Sequence, residues 1–156
     1  MRTSSFPLYL LIAAALGLSA FGFLSWRAVS LDQADPAQAQ REFAMVREGM
    51  VRIQAIVLLD ESGALAPMRP PAGADKVHLS HIKALAYQAD KQGLARVTVP
   101  FWFYKLKGPA IQLALHDTKI NLKKLGVSAA DLERHGPGMV LDESRTNGDQ
   151  LMIWTD

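Results

Sequence analysis

The 156-residue sequence contains no cysteine. Disulfide bonds, a thiol nucleophile and a lipid-modified cysteine behind an N-terminal apolar segment are therefore excluded. The sequence also lacks the Gly-x-Ser-x-Gly motif of serine hydrolases, the Gly-x-Gly-x-x-Gly motif of dinucleotide-binding proteins and the phosphate-binding P-loop. Since no motif marks a catalytic residue, we predict a protein that is not an enzyme and that binds no cofactor.

The sequence has no run of five like charges, and its formal net charge is only +2. Arg2 and Arg27 flank an apolar segment, and the other 15 basic residues match the 15 acidic residues in number. Residues 76–124 are basic, but their lysines are spread over several predicted elements, and acidic segments lie on both sides. We therefore expect no nucleic-acid partner.

Twenty residues without a charged side chain, Pro7–Trp26, follow the first six residues. A helix of this length spans about 30 Å, the thickness of the hydrocarbon layer of a bilayer. Trp26 and Arg27 place an aromatic ring and a cation where the headgroups would begin. We predict residues 1–6 as a cytoplasmic tail, residues 7–26 as a transmembrane signal anchor, and Trp26 and Arg27 as membrane-interface residues.

A cleaved signal peptide is the alternative to an anchor. Ala28-Val29-Ser30 has small residues at the two positions that a signal peptidase requires. The apolar segment, however, exceeds the ~7 to 15 residues of a signal-peptide core. We therefore favour a single-pass membrane protein, which in a bacterial cell would lie in the inner membrane with its C-terminal domain in the periplasm. A secreted domain stays the alternative.

A helix start is marked after a predicted linker, residues 27–35. Asp35 suits the N-cap, and Pro36 suits the first helical position, where a missing N–H is no loss. We predict a stalk helix over residues 36–53, and two interpretations of it stay open: an amphipathic helix packed on the domain behind it, or a dimerising stalk above the membrane. Both rest on apolar residues that recur every three or four positions: Phe43, Val46, Met50, Ile53 and Val57.

Residues 54–156 are predicted to form one small α+β domain, with a mainly antiparallel sheet and two or three helices. Its clearest local signal is Ser128 with Asp131, the pattern of a capping box, in a helix that ends at His135. The other expected elements are strands near 54–60, 64–67, 97–107 and 111–115, helices over 80–92 and 118–125, and a terminal hairpin of 139–141 with 151–154.

The segment 97–107 is the candidate partner surface. Alternation in a strand puts Phe101 and Phe103 on one face and Trp102 and Tyr104 on the other, while Pro100 favours an edge position because it has no N–H to donate. Both core packing and a protein or lipid contact fit this pattern. We name as partner-binding residues Trp102, Tyr104, Phe101 and Phe103, since aromatic residues dominate many interfaces.

The four histidines do not predict a metal site. His78 and His81 are three residues apart, as metal ligands on a helix sometimes are, and His116 and His135 could complete a site. His81 follows the expected helix cap at residue 80, however, so His78 falls outside the helix and the pair need not share a face. We interpret all four as surface or core histidines.

The sequence thus predicts a membrane-anchored, non-catalytic accessory or assembly subunit that acts by protein–protein interaction. Its expected partners are the lipid bilayer and either another membrane protein or a second copy of itself. Two alternatives stay open: an extracytoplasmic ligand-binding module, similar to a sensor domain, that signals to another chain through the stalk, and a small hydrolase or metal protein built on His78 and His81.

Overall fold

The computed structural model of the chain describes residues 29–50, 55–59, 65–67, 75–107, 112–115, 118–121 and 126–156. The predicted transmembrane segment, residues 7–26, lies outside this described part, as do the predicted interface residues Trp26 and Arg27. Among the described residues, no helix has the length and apolar composition needed to cross a bilayer.

The described elements are nine strands and three helices. In chain order they are β1 (Val29–Gln33), α1 (Pro36–Glu48), β2 (Val57–Leu59), β3 (Leu65–Pro67), β4 (His81–Gln88), β5 (Gly93–Pro100), α2 (Phe101–Lys107), β6 (Gln112–Leu115), β7 (Thr118–Asn121), α3 (Ala129–His135), β8 (Gly138–Ser144) and β9 (Gln150–Thr155).

Five of the strands form the central sheet, in the spatial order β1-β5-β4-β9-β8. Every neighbouring pair in it is antiparallel. Two small hairpins, β2–β3 and β6–β7, accompany the sheet. The predicted small domain with a mainly antiparallel sheet and a few helices is confirmed.

The strand β1 corrects the prediction of a linker over residues 27–35. Val29 pairs with Val97 and Gln33 with Gly93, so within the described part of the chain the segment is an edge strand of the central sheet. A five-residue strand is too short to show a clear alternation, and its partner lies more than sixty residues away in the sequence. Local patterns therefore did not reveal it.

The strand β4 corrects the helix predicted over residues 80–92. It lies between β5 and β9, and four successive residues, Ala84 to Tyr87, are buried. A strand covered on both faces has no polar side, so its sequence does not alternate and resembles a buried helix. Residues 81–88 form a strand rather than a helix because they pair with β5 on one side and with β9 on the other.

The helix α1 begins where the sequence predicts. The Asp35 side chain accepts a hydrogen bond from the Gln38 N–H at 2.7 Å, and Pro36 is the first helical residue. The helix ends at Glu48, with Gly49 as its C-cap, earlier than predicted, and residues 51–53 of the predicted stalk helix lie outside the described residues.

The outer side of α1 faces solvent, and its inner side packs on the sheet. Phe43 has no exposed surface and joins a cluster with Leu85, Leu94 and Met152 of the central strands. Burial of one such side chain stabilises the fold by about 1.5–3 kcal/mol. Of the two interpretations, the structure supports the helix packed on the domain rather than the dimerising stalk, because Phe43 of the apolar series is buried against the sheet.

Ion pairs at both ends of this contact show that α1 runs across the strands. Glu42 pairs with Arg96 of β5 at 3.0 Å, and Arg96 also pairs with Asp32 of β1 at 2.5 Å. Further along α1, the Nε and Nη2 atoms of Arg47 donate to the two carboxylate oxygens of Asp142 in β8, each at 2.8 Å. The helix therefore crosses the sheet from β5 towards β8.

The opposite face of the sheet is covered by α2, α3 and the residues around β2. Alternate residues of β4 and β5, among them Ala84 and Val97, pack there against Tyr104 of α2 and Leu132 of α3. Val57 of β2 is buried in the same cluster. The sheet therefore lies between two apolar layers, one helix thick on the α1 side.

The helix α2 corrects the strand predicted over residues 97–107. The strand β5 ends at Pro100, which pairs with His81 at the start of β4. Beyond that point, Phe101 and Tyr104 are buried and Trp102 is exposed, the spacing of a helix rather than a strand. β5 is also not an edge strand, because β1 and β4 flank it.

The elements with strong local signals agree with their predictions at the C-terminal side. Both hydrogen bonds of the Ser128–Asp131 capping box form, and α3 ends at His135. The hairpin of β8 and β9 is present, and its turn contains Gly148 at φ 89°, a value that suits glycine. The helix predicted over residues 118–125 is wrong, since Thr118–Asn121 is the strand β7.

Candidate functional site

The inner side of α2 fixes this helix on the domain. The rings of Phe101 and Tyr104 are both buried, with their centroids 5.9 Å apart. The Tyr104 hydroxyl donates to the carbonyl oxygen of Val127 at 3.2 Å. Burial of the Tyr104 hydroxyl, with the nearby charge of Asp131, raises its pKa above the ordinary value, so this donor stays protonated at neutral pH.

The outer side of α2 carries two large apolar side chains in solvent. Trp102 is 59% exposed and Leu106 is 73% exposed, and their spacing of four residues places them on one side of the helix. We call these two residues the α2 patch. The Trp102 ring meets the half-buried Phe103 edge-on, with centroids 5.8 Å apart. Trp102 therefore has a fixed neighbour on one side and solvent on the other.

The four predicted partner-binding residues thus divide into two groups. Trp102 is exposed, but Phe101 and Tyr104 belong to the core and Phe103 is half-buried. The predicted pairing of Trp102 with Tyr104 on one surface is wrong, because a helix turns them to opposite sides. Sequence reasoning missed Leu106, which the helical period would have placed beside Trp102.

A charged contact joins α2 to α3. The Nζ atom of Lys105 donates to Oε1 of Glu133 at 2.7 Å. The backbone carbonyl of the same Glu133 accepts from the N–H of Val77, whose side chain is 46% exposed. Lys105 therefore has its charge balanced within the domain, and an exposed apolar residue lies nearby on the segment that leads into β4.

The edge strand β1 presents backbone groups away from the sheet. The N–H of Ala34 donates to the carbonyl of Gln92 at 2.9 Å, which continues the ladder beyond β1. Hydrogen-bonded pairs alternate in an antiparallel ladder, so Ser30 and Asp32 point their backbone groups towards β5. The backbone N–H and C=O of Leu31 then point outward, and its side chain is 51% exposed.

A cluster of charged groups lies where β4 begins and β9 ends. The Asp156 carboxylate contacts Nδ1 of His81 at 3.1 Å and also contacts the Nζ atom of Lys83. Burial opposes ionisation of this carboxyl, but the hydrogen bonds and charges of Lys83 and His81 outweigh it and lower the pKa of Asp156. The cluster ties two strands together.

The predicted histidine site does not form as one cluster in the described residues. His81 contacts Asp156, His78 is exposed, and Nε2 of His135 lies 3.1 Å from the carbonyl oxygen of Met139. His116 lies outside the described residues. No group of three His, Cys, Asp or Glu side chains that could hold a metal ion occurs in the part of the chain that the structure describes.

A small pocket lies at the end of the sheet far from α2. Ala86, Ala95, Glu143, Arg145 and Gln150 are among the residues that line it. Its volume is about 30 Å³, room for one water molecule. A drug-sized ligand needs about 300–1,000 Å³. This pocket therefore does not provide the site that the ligand-binding alternative requires.

The comparisons with known proteins add no functional assignment. Neither the family models, nor the curated proteins, nor the solved structures contain a match to this chain. The features that bear on function are therefore the α2 patch, the β1 edge and the apolar segment that precedes β1.

Proposed function

We propose that this chain is a membrane-anchored accessory subunit without a catalytic role, which holds a small domain against the bilayer and binds another protein there. In a bacterial cell the domain would lie on the periplasmic side of the inner membrane. The proposal combines the apolar segment 7–26 of the sequence with two exposed features of the domain, the β1 edge and the α2 patch.

The position of β1 is the observation that carries the proposal. The strand begins at Val29, only three residues after Trp26, and is paired along its whole length with β5. A domain on a flexible linker would be free to turn above the membrane. Here the sheet begins almost where the apolar segment ends, so an anchor would hold the domain close to the bilayer and limit its orientations.

The edge of β1 is the surface that we assign to the protein partner. An exposed edge strand is a template on which an extended segment of another chain can add a further strand. β1 pairs with β5 without a register shift. The opposite edge strand, β8, contains an irregularity between Met139 and Leu141, and such bulges discourage pairing. β1 is therefore the better template of the two.

A second copy of the chain does not fit this edge in antiparallel pairing. Two copies of β1 paired antiparallel would run in opposite directions. Their predicted anchors would then leave the joined sheet at opposite ends, and one bilayer could not hold both. This excludes an antiparallel dimer through β1, and we infer a heteromeric contact in which another chain supplies the extended segment.

The test is purification of the full chain from membranes in mild detergent, followed by identification of what accompanies it. The informative variant is Leu31→Pro, because it removes an outward N–H and leaves the inner ladder of β1 intact. We expect this variant to lose the accompanying protein while its unfolding transition changes little. Leu31→Ala is the matched control, since it shortens the same side chain but keeps the N–H, and it should retain the partner.

A second control separates pairing from stability. Ser30→Pro removes a hydrogen bond of the inner ladder and should lower the unfolding midpoint. The proposal fails if the wild-type chain runs as a monomer with no associated protein, or if Leu31→Pro and Leu31→Ala behave alike. It also fails if alkaline carbonate releases the full chain from membranes.

A further inference from the structure

The α2 patch lies at one particular end of the central sheet. The N–H of Phe101, the first residue of α2, donates to the carbonyl of Ser80 at 2.9 Å, just before β4 begins. The same end of the sheet contains the start of β1, because Val29 pairs with Val97 near the end of β5. The start of α2 and the start of β1 therefore lie at the same end of the sheet.

Distances along the strands place α2 at the level of the predicted anchor. Phe101 lies four residue steps after Val97, so α2 begins about 13 Å beyond Val29 along the strand direction. Trp26 precedes Val29 by three residues, which span at most about 11 Å. α2 would therefore extend at least as far towards the bilayer as the point at which the apolar segment ends.

We propose that α2 is an interfacial helix, which lies in the headgroup layer with Trp102 and Leu106 directed at the lipid. This inference rests on the proposed function, because it requires the anchor at residues 7–26. Its occupant is the bilayer surface itself. Tryptophan favours this layer, since its ring is apolar and its N–H finds polar partners there.

The chemistry of the patch indicates apolar insertion rather than attraction to anionic lipid. Interfacial helices bury their apolar side about 5–10 Å into the boundary between headgroups and acyl chains. Lys105, the cation between the two patch residues, is already paired with Glu133. We therefore expect Lys105 to contribute little to any attraction between the patch and anionic lipid.

The alternative occupant of the patch is a protein surface, and the position of the patch argues against it. Leu31 and Met45 are also exposed, but each is a single apolar residue on another element. Trp102 and Leu106 form a pair, and they lie at the end of the domain that faces the bilayer if the anchor is retained. The bilayer is thus the surface that the pair would meet first.

The test uses tryptophan fluorescence of the full chain in vesicles. Trp26→Phe and Trp154→Phe leave Trp102 as the only tryptophan. The chain is reconstituted in vesicles of phosphatidylcholine and phosphatidylglycerol, with or without bromine on the acyl chains close to the headgroups. We expect the brominated lipid to quench Trp102 strongly, and aqueous iodide to quench it weakly.

A matched control places a tryptophan on α1. Met45 is 58% exposed, almost as much as Trp102, but α1 crosses the sheet at the level of Arg96 and Asp142. That level is five residues, or about 16 Å, further from the bilayer than the start of α2. In a chain with the three native tryptophans replaced by phenylalanine, Met45→Trp should be quenched by iodide and not by the brominated lipid.

The outcomes distinguish the two proposals. If the chain washes off the vesicles in alkaline carbonate, the anchor is wrong and the interfacial helix falls with it. If the chain stays anchored but Trp102 and the tryptophan at position 45 are quenched alike, only the interfacial helix is wrong. Protection of Trp102 that appears only when a protein partner is added would assign the patch to that partner and overturn the inference.

Discussion

The helices α1 and α2 both pack on the sheet through buried aromatic residues, Phe43 in α1 and Phe101 and Tyr104 in α2, but their outer sides differ. α1 has 13 residues, and its exposed positions are four polar or charged residues, three small residues (Pro36, Ala37 and Ala44) and one large apolar residue, Met45. α2 has seven residues, and its exposed positions include Trp102 and Leu106. A helix that serves only to cover a sheet needs a polar outer side to stay in water. The apolar outer side of α2 indicates a second contact.

If the inner side of α1 serves mainly to stabilise the fold, a substitution there should cause the largest loss in the free energy of unfolding. Phe43→Ala should lower the free energy of unfolding by about 3–5 kcal/mol, because it opens a cavity under α1. Chemical denaturation of the domain measures this loss. Met45→Ala, on the outer side of the same helix, should change it by less than about 0.5 kcal/mol. Similar losses for both variants would contradict the described packing.

Loss of the hydrogen bond between the Tyr104 hydroxyl and Val127 should cause the next largest loss of stability. Tyr104→Phe keeps the buried ring but leaves the carbonyl of Val127 without the hydroxyl donor. We expect a loss of about 1 to 3 kcal/mol in the free energy of unfolding, since a buried acceptor then lacks this partner. A variant as stable as the wild type would show that the ring alone holds α2.

The charged contacts of the two helices give smaller effects. Arg47→Met should cost about 0 to 1 kcal/mol, because its ion pair with Asp142 is partly exposed and screened by salt. Lys105→Met, which removes the ion pair with Glu133, should cost no more. Denaturation at low and high salt checks both variants, and a loss that persists at high salt would mean that the side-chain stems contribute through packing.

Acid should loosen the α2 end of the sheet through Asp156. The pKa of its carboxyl is lowered from the ordinary value of 3.8 in the folded chain. Its contribution to stability is therefore fully present above pH 3.8 and is lost as the pH falls through the lower pKa of the folded chain. The backbone carbonyl of Asp156 also accepts from Ser80, which in turn holds Phe101. The variant Asp156→Asn should therefore weaken the pH dependence of the unfolding midpoint in acid, and an unchanged pH profile would contradict this.

The outer side of α2 gives the smallest effect on stability. Trp102→Ser should alter the free energy of unfolding by less than about 0.5 kcal/mol, since the ring is mostly in solvent. A loss comparable to that of Phe43→Ala would show that Trp102 is structural, and it would remove the difference between the two helices.

Local signals predicted the parts of the fold that depend on neighbouring residues. Asp35 and Pro36 marked the start of α1, and Ser128 with Asp131 marked the start of α3, because a cap needs only a few residues in sequence. The terminal hairpin was predicted for the same reason, since its turn joins strands that are close in sequence.

The candidate site was predicted only in part. Trp102 was named and is exposed, but Tyr104 was assigned to the same surface, and Leu106 was not named at all. One wrong assumption, a strand instead of a helix, explains both errors. The sequence does not predict the edge of β1, because the alternation in residues 27–35 is too short to distinguish a strand from a linker.

The sequence by itself determined the caps, the hairpin and the apolar segment before Val29, because each of these follows from the chemistry of a few adjacent residues. Only the tertiary structure decided that β4 is a strand, that β1 joins the sheet and that the chain turns into a helix after Pro100. Those outcomes depend on partners far away in the sequence, on burial of β4 between two strands and on a core that accepts Phe101 and Tyr104 together. The same turn of α2 that buries those two rings leaves Trp102 and Leu106 facing outward.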